Sequence, residues 1–367
     1  MNYVFIIALV MAVGNVCYAD INYLRIHEGP LTNAGVGLEA NYNYFDDRLD
    51  LLDISSKIGG STKPKRANNT FLNLYLPLGD SYILEFGYED STGMVDRTAE
   101  PKELETELNG YRLGIGKYIG GYAGFQWSGF LEGHIRKQDP LIIECLEFGG
   151  AVLGGNCSEA DFRLLDGDVF LTTGESNYFP VLRTHIQETT FNIRLVGSKV
   201  FKERFLLTQQ LGLSGSRIDS TIRSPLFDLE SDFILNAKYQ GQTLRSLIEN
   251  IRNESPQEQP WDVTKYSYSL GIGYGINERL TAFADAGFYY VNRSNYVPHV
   301  SRKDFRHNTI VNFKLWYALN DYLMIKLRAR ATTHYLLGID SIAYNRKSNR
   351  FFEHPYGDLQ IGLVWML

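Results

Sequence analysis

The sequence predicts an all-β fold, a twelve-stranded antiparallel transmembrane β-barrel. Three observations carry that expectation. Apolar residues recur at every second position in segments of about ten residues, the length of a tilted strand crossing a bilayer. The connections between these segments alternate strictly between short and long. The alternation also continues to the last residue, with Leu359, Ile361, Leu363, Trp365 and Leu367 on one face. A terminal strand stays ordered only where a partner captures it, and a closing barrel supplies that partner.

The chain opens on a short apolar run, "VFIIALVMAV", followed by "GNVCYAD". Cys17 and Ala19 are small residues three and one positions before a cleavage site at Asp20. That pattern reads as a signal peptide over 1–19, although its first residues, "MNY", carry no Lys or Arg. Residues 20–33 then form a short N-terminal segment, and 34–367 form the barrel. Strand one is "AGVGLEANYNYF", with Val36, Leu38, Ala40, Tyr42 and Tyr44 opposite Gly35, Gly37, Glu39, Asn41 and Asn43. Strands two and three lie near 70–78 and 81–89, four and five near 108–118 and 124–135, six and seven near 188–201 and 205–216. Strand seven, "FLLTQQLGLSG", carries a glutamine on each face. Strand eight is "YSYSLGIGYGI"; nine, ten and eleven lie near 279–291, 308–319 and 322–332; twelve closes the chain. Four hairpin turns share a pattern, in "LPLGDSYIL", "KVFKERFLL", "GINERLTAF" and "ALNDYLMIK", each with an acid near the middle. A fifth, "YIGGYAGF", is glycine-rich.

One apolar and one polar face would also suit a soluble two-sheet sandwich. Strand length and the asymmetry of the connections favour the barrel. So do aromatics gathered near strand ends, where interfacial girdles sit: Tyr42, Tyr44, Tyr82, Tyr118, Tyr122, Trp316, Tyr317, Tyr322 and Trp365. The net charge of -6 argues against nucleic acid as a partner. Of the three cysteines, cleavage would discard Cys17 and leave Cys145 and Cys157 as an even pair. In an oxidising compartment they are expected to form a disulfide within the third, largest loop.

In these features the chain resembles Gram-negative outer-membrane β-barrels, with short periplasmic turns and long extracellular loops. Such proteins commonly end on alternating apolar residues, a signal read by the barrel-assembly machinery. Leu359, Ile361, Leu363 and Trp365 match it, while Leu367 stands where Phe or Trp is usual. Size and strand count are similar to autotransporter translocator domains, particularly solitary ones that lack a passenger. The segment "DINYLRIHEGPLTN", with Pro30 inside, is too short for a spanning helix plus a passenger. The resemblance implies an outer-membrane location, with membrane lipid, lipopolysaccharide and the assembly machinery as partners and no cofactor.

An outer-membrane phospholipase needs paired Ser and His on the lipid-facing rim, and no strand carries that pair. The loops supply His299, Asp304, His307, His334, Asp340, Glu353 and His354, without catalytic spacing or zinc-type spacing. The glycines of "GIGKYIGGYAG" suit a turn and a close lumen wall better than a phosphate cradle. In "QTLRSLIENIRN", Leu244, Leu247, Ile248 and Ile251 share one helical face, suiting a lid, a plug or a satellite helix.

The lumen carries the remaining chemistry. With Leu323, Ile325, Leu327, Ala329 and Ala331 facing lipid, Lys326, Arg328 and Arg330 point inward. Lys314 does likewise on strand ten. Strands one, three and five offer Glu39, Glu85 and Glu132, which predicts a basic wall facing an acidic one. Arg112 and Glu132, on adjacent strands, could pair. Loops five and six add Arg293, Arg302, Lys303, Arg306, Arg346, Lys347 and Arg350 as a basic track toward the lumen, or as a lipopolysaccharide contact. The first functional reading is a passenger-less barrel, structural or acting through its loops. The alternatives are a narrow channel for small anionic or polar solutes and an extracellular-rim hydrolase.

Overall fold

Every segment with period-two alternation forms a strand. The computed structural model describes residues 36–46, 62–79, 81–97, 104–144, 180–202, 204–223, parts of 232–249, 259–296, 306–335 and 350–366. The barrel strands are β1 (Gly37–Asp46), β2 (Thr62–Leu78), β3 (Tyr82–Arg97), β4 (Leu104–Tyr122), β5 (Phe125–Glu144) and β6 (Pro180–Phe201). They continue as β7 (Phe205–Arg223), β8 (Trp261–Gly275), β9 (Leu280–Ser294), β10 (His307–Ala318), β11 (Leu323–Tyr335) and β12 (Arg350–Met366). Each pairs antiparallel with its sequence neighbours, and β12 pairs with β1 to close the ring.

The closing seam runs from Gly37 opposite Met366 to Tyr44 opposite Leu359. Leu359, Ile361, Leu363 and Trp365 point outward along it, while Val364 is buried inside at 1% exposure. The terminal strand is therefore ordered by β1 on one side and β11 on the other. Outward residues elsewhere are apolar and exposed, among them Leu113, Ile115, Leu131, Phe191, Ile193, Leu270, Ile272 and Phe313. Inward residues are buried and largely polar. Water would penalise that inverted arrangement, whereas hydrocarbon covers the outer face at no cost.

All five short turns lie at one end. At the β4–β5 turn, Ala123 (φ 53°) and Gly124 (φ 77°) both adopt the left-handed conformation, as a two-residue hairpin matching strand twist requires. In the β8–β9 turn, Asn277 Oδ1 accepts the backbone N–H groups of Arg279 and Leu280 at 2.9 and 2.8 Å. Asn320 does the same for Tyr322 and Leu323 in the β10–β11 turn, both at 2.9 Å. In these two turns the asparagine before the acid supplies the fold-back.

β7 forms despite its two glutamines, and both Gln209 and Gln210 are half-buried. Trp316 is a correction. It faces the lumen at 4% exposure rather than the interface, because it shares the inward parity of Lys314. Within the fourth long connection, α1 spans Asp232–Leu235, and Asp232 pairs with Arg245 at 2.7 Å. Ile248 in the same connection is buried, whereas Leu244, Leu247 and Ile251 lie outside the described residues. The signal peptide, the 20–33 segment, the Cys145–Cys157 pair in the third loop and Leu367 also lie outside them: Cys145 and Cys157 are not described.

Candidate functional site

Toward the short turns the inward residues include an apolar layer, with the buried Ser128 and Ser198 nearer still to the turns. Tyr75, Ile83, Phe130, Val196 and Val364 pack into one buried cluster, with Met324 and Met366 against it. These side chains come from β2, β3, β5, β6, β11 and β12, so they form a floor across part of the lumen. Phe283 and Trp316 extend the apolar level on β9 and β10, with rings stacked at 6.0 Å and an interplanar angle of 6°. Gly116 makes room for the floor. A Cβ there would fall 2.7 Å from the Phe130 ring and 2.8 Å from Ile83.

Above the floor lies a cavity of about 490 Å³, walled by β1–β6, β11 and β12. Six permanent cations line it, Arg112, Arg136, Arg194, Lys326, Arg328 and Arg330, against the four carboxylates Glu39, Glu85, Glu89 and Glu132. Many of these groups are paired. Arg194 hydrogen-bonds Glu132, approaches Glu85 at 3.7 Å and lies 4.7 Å over the Phe130 ring. Arg136 bridges Glu89 at 2.9 Å and Glu188 at 3.4 Å, and His134 Nε2 sits 3.4 Å from the same Glu89. Lys326 meets Glu39 at 2.8 Å, and the Tyr75 hydroxyl donates to that carboxylate at 3.0 Å. Pairing is what makes charge tolerable at such low exposure.

The cavity thus brings together Arg112, Glu132, Lys326, Arg328 and Arg330 from the sequence-derived set, and leaves Lys314 outside its lining. Lys314 instead bonds Asp285 at 3.0 Å and lies 4.9 Å over the Phe283 ring. Arg112 donates to Asn73 Oδ1 at 2.9 Å, while Glu132 takes Arg194 from β6. The expectation of a basic wall facing an acidic one is corrected here. Arg112, Arg136 and Arg194 rise among the glutamates of β3 and β5, and Glu39 stands beside the β11 cations. Arg136, Arg194, Glu89 and Glu188 were not singled out in the sequence, though parity marks them. Phe191 and Ile193 outward on β6 put Arg194 inward.

At the opposite end an apolar arc lines the inner face of β4 and β6–β9: Leu108, Ile186, Ile218, Trp261, Val263 and Val291. Tyr296 packs on it, under the guanidinium of Arg293 at 5.5 Å. Arg293 is therefore buried, Arg306 is exposed, and Arg302, Lys303, Arg346 and Lys347 lie outside the described residues. Among the described residues, no group of three or more His, Cys, Asp or Glu side chains is placed to hold a metal ion.

No family model matches the sequence, and no curated protein matches it. Solved structures do share the fold. The translocator domain of the autotransporter NalP from Neisseria meningitidis is 8% identical, with a TM-score of 0.50 over 92% of this chain and 90% of that one. The transport unit of the autotransporter AIDA-I from Escherichia coli is 9% identical, with a TM-score of 0.44 over 91% of each chain. The toluene transporter TodX from Pseudomonas putida is 12% identical, with a TM-score of 0.42 over 95% of this chain and 93% of that one. The first of these places the chain in the fold class of outer-membrane β-barrels, in agreement with its closed ring of twelve antiparallel strands.

Proposed function

We propose that this chain is a Gram-negative outer-membrane barrel, autotransporter-like in build and without a passenger, whose lumen is a narrow channel for small anionic or polar solutes. The observation that carries the reading is the cavity above the floor, about 490 Å³ in volume, with six cations against four carboxylates. A surplus of fixed positive charge in a confined, low-dielectric lumen raises the local concentration of anions. Its short turns face the periplasm, and its partners are membrane lipid, lipopolysaccharide and the barrel-assembly machinery. The apolar outer belt supports an outer-membrane location, and recovery as a soluble periplasmic species would contradict it.

A second reading, a structural barrel acting through its loops, is supported by the floor. Tyr75, Ile83, Phe130, Val196 and Val364 are each no more than 5% exposed, so any path past them is tight. Planar-bilayer recording decides between the two. The channel reading expects chloride to pass in preference to potassium, and Arg328→Glu with Arg330→Glu to reverse or erase that preference. Absence of conductance from a correctly assembled barrel would remove the channel and leave the structural reading.

A further inference from the structure

The wall formed by β12, β1 and β2 differs from the rest of the cavity. It presents carboxamides: Gln360, Asn41, Asn43, Asn69 and Asn73. Gln360 stands opposite Asn43 across one strand pairing, and Asn43 opposite Asn69 across the next, so three carboxamides lie side by side. The carbonyl oxygens of Gln360, Asn41 and Asn69 accept no hydrogen bond among the described residues. Asn41 and Gln360 are 5% and 8% exposed, and both line the cavity. A buried acceptor without a donor is destabilising, so each is a place where an incoming donor gains. On the next strand, Arg328 stands directly opposite Gln360. The wall of acceptors therefore runs into a column of cations.

We infer that the β12–β1–β2 carboxamide wall recognises the hydroxyl groups of a polyol of monosaccharide size that carries a negative charge. This inference rests on the solute-channel reading and names its substrate class. Hydroxyls supply the donors that the three carbonyl oxygens lack, while their own oxygens accept from neighbouring amide N–H groups. The negative group takes the side toward Lys326, Arg328 and Arg330. An ammonium group would also donate, but six lining cations oppose its entry. A cavity of about 490 Å³ is within the range of small-molecule sites and holds one such solute with its residual water. Phe71, also in the lining, offers an apolar face for the ring C–H groups.

The test is calorimetric titration of the assembled, detergent-solubilised protein with three probes: glucuronate, glucose and hexanoate. Glucuronate should bind most tightly, because it alone supplies both the hydroxyls and the charge. Asn41→Leu with Gln360→Leu should weaken glucuronate by roughly tenfold, about the loss of two net hydrogen bonds. Ser214→Ala, buried on β7 outside the cavity, should leave it unchanged. If the double variant fails to assemble, Gln360→Met alone should cost roughly threefold. Equal binding of hexanoate and glucuronate, no binding of glucuronate, or an unaltered affinity in an assembled variant would overturn the inference. Chloride preference measured on the same preparations separates the two readings. Its persistence would leave the channel standing without this substrate class, whereas its absence would remove the channel itself.

Discussion

The chamber and the floor beneath it are built from the same strands, one inward step apart. On β5, Glu132 lies in the chamber and Phe130 in the floor; on β6 the pair is Arg194 and Val196. The same switch occurs between Glu85 and Ile83 on β3, Asn73 and Tyr75 on β2, and Lys326 and Met324 on β11. Five strands thus change from polar to apolar at one level. The change needs no new element, only the next residue of matching parity, because inward positions recur every second residue. A barrel wall can therefore hold a charged compartment and a dry constriction within one strand length. The two layers do different work. In the proposed channel, paired charges in the chamber would set which solutes are attracted, and the floor how many pass.

The largest disruption comes from the seam that the floor shares with the membrane. β12 contributes Val364 and Met366 inward while Trp365 points outward. Replacing Trp365 and Leu367 with Asp should abolish assembly, seen as loss of the heat-modifiable band on gels. Next comes the chamber's central cation. Arg194→Met should cost about 3–5 kcal/mol of unfolding stability, because it leaves Glu85 and Glu132 buried without their shared partner. Adding Glu85→Gln and Glu132→Gln should recover much of the loss in denaturant titrations. A recovery of nothing would mean that packing on Phe130, rather than charge, fixes that side chain. The smallest effect lies outside both layers. Asn277→Ala or Asn320→Ala should cost about 1 kcal/mol each and leave conductance unchanged, since each removes only turn hydrogen bonds.

The short-turn ends of the strands were legible to within a residue or two, because apolar alternation and turn residues coincide there; β4 is the exception, ending at Tyr122 rather than near 118 through its glycine-rich stretch. The other ends were not. Alternation on β3 suggested 81–89, yet the strand runs Tyr82–Arg97, and β6 begins at Pro180 rather than near 188. Above the membrane, backbone pairing continues without an apolar face, so the signal that marks a strand disappears while the strand persists. Which charges face inward was equally legible from parity, for Lys326 as for Arg328. Which charge meets which was not. Glu132 meets Arg194 because register and strand tilt bring those side chains to one level, and neither quantity is written in a single strand. Trp316 shows the opposite error: its inward parity was readable, and its aromatic character at a strand end outweighed it.

The division of labour between chamber and floor is tested most directly by one paired recording, wild type against Phe130→Ala in the same planar bilayers. Phe130 fills the space that Gly116 leaves open, and its truncation widens the floor and keeps every charged side chain, although it removes the ring beneath the Arg194 guanidinium. The account predicts a larger single-channel conductance in the variant with the chloride preference retained. An unchanged conductance, or a preference lost together with the ring, would contradict it.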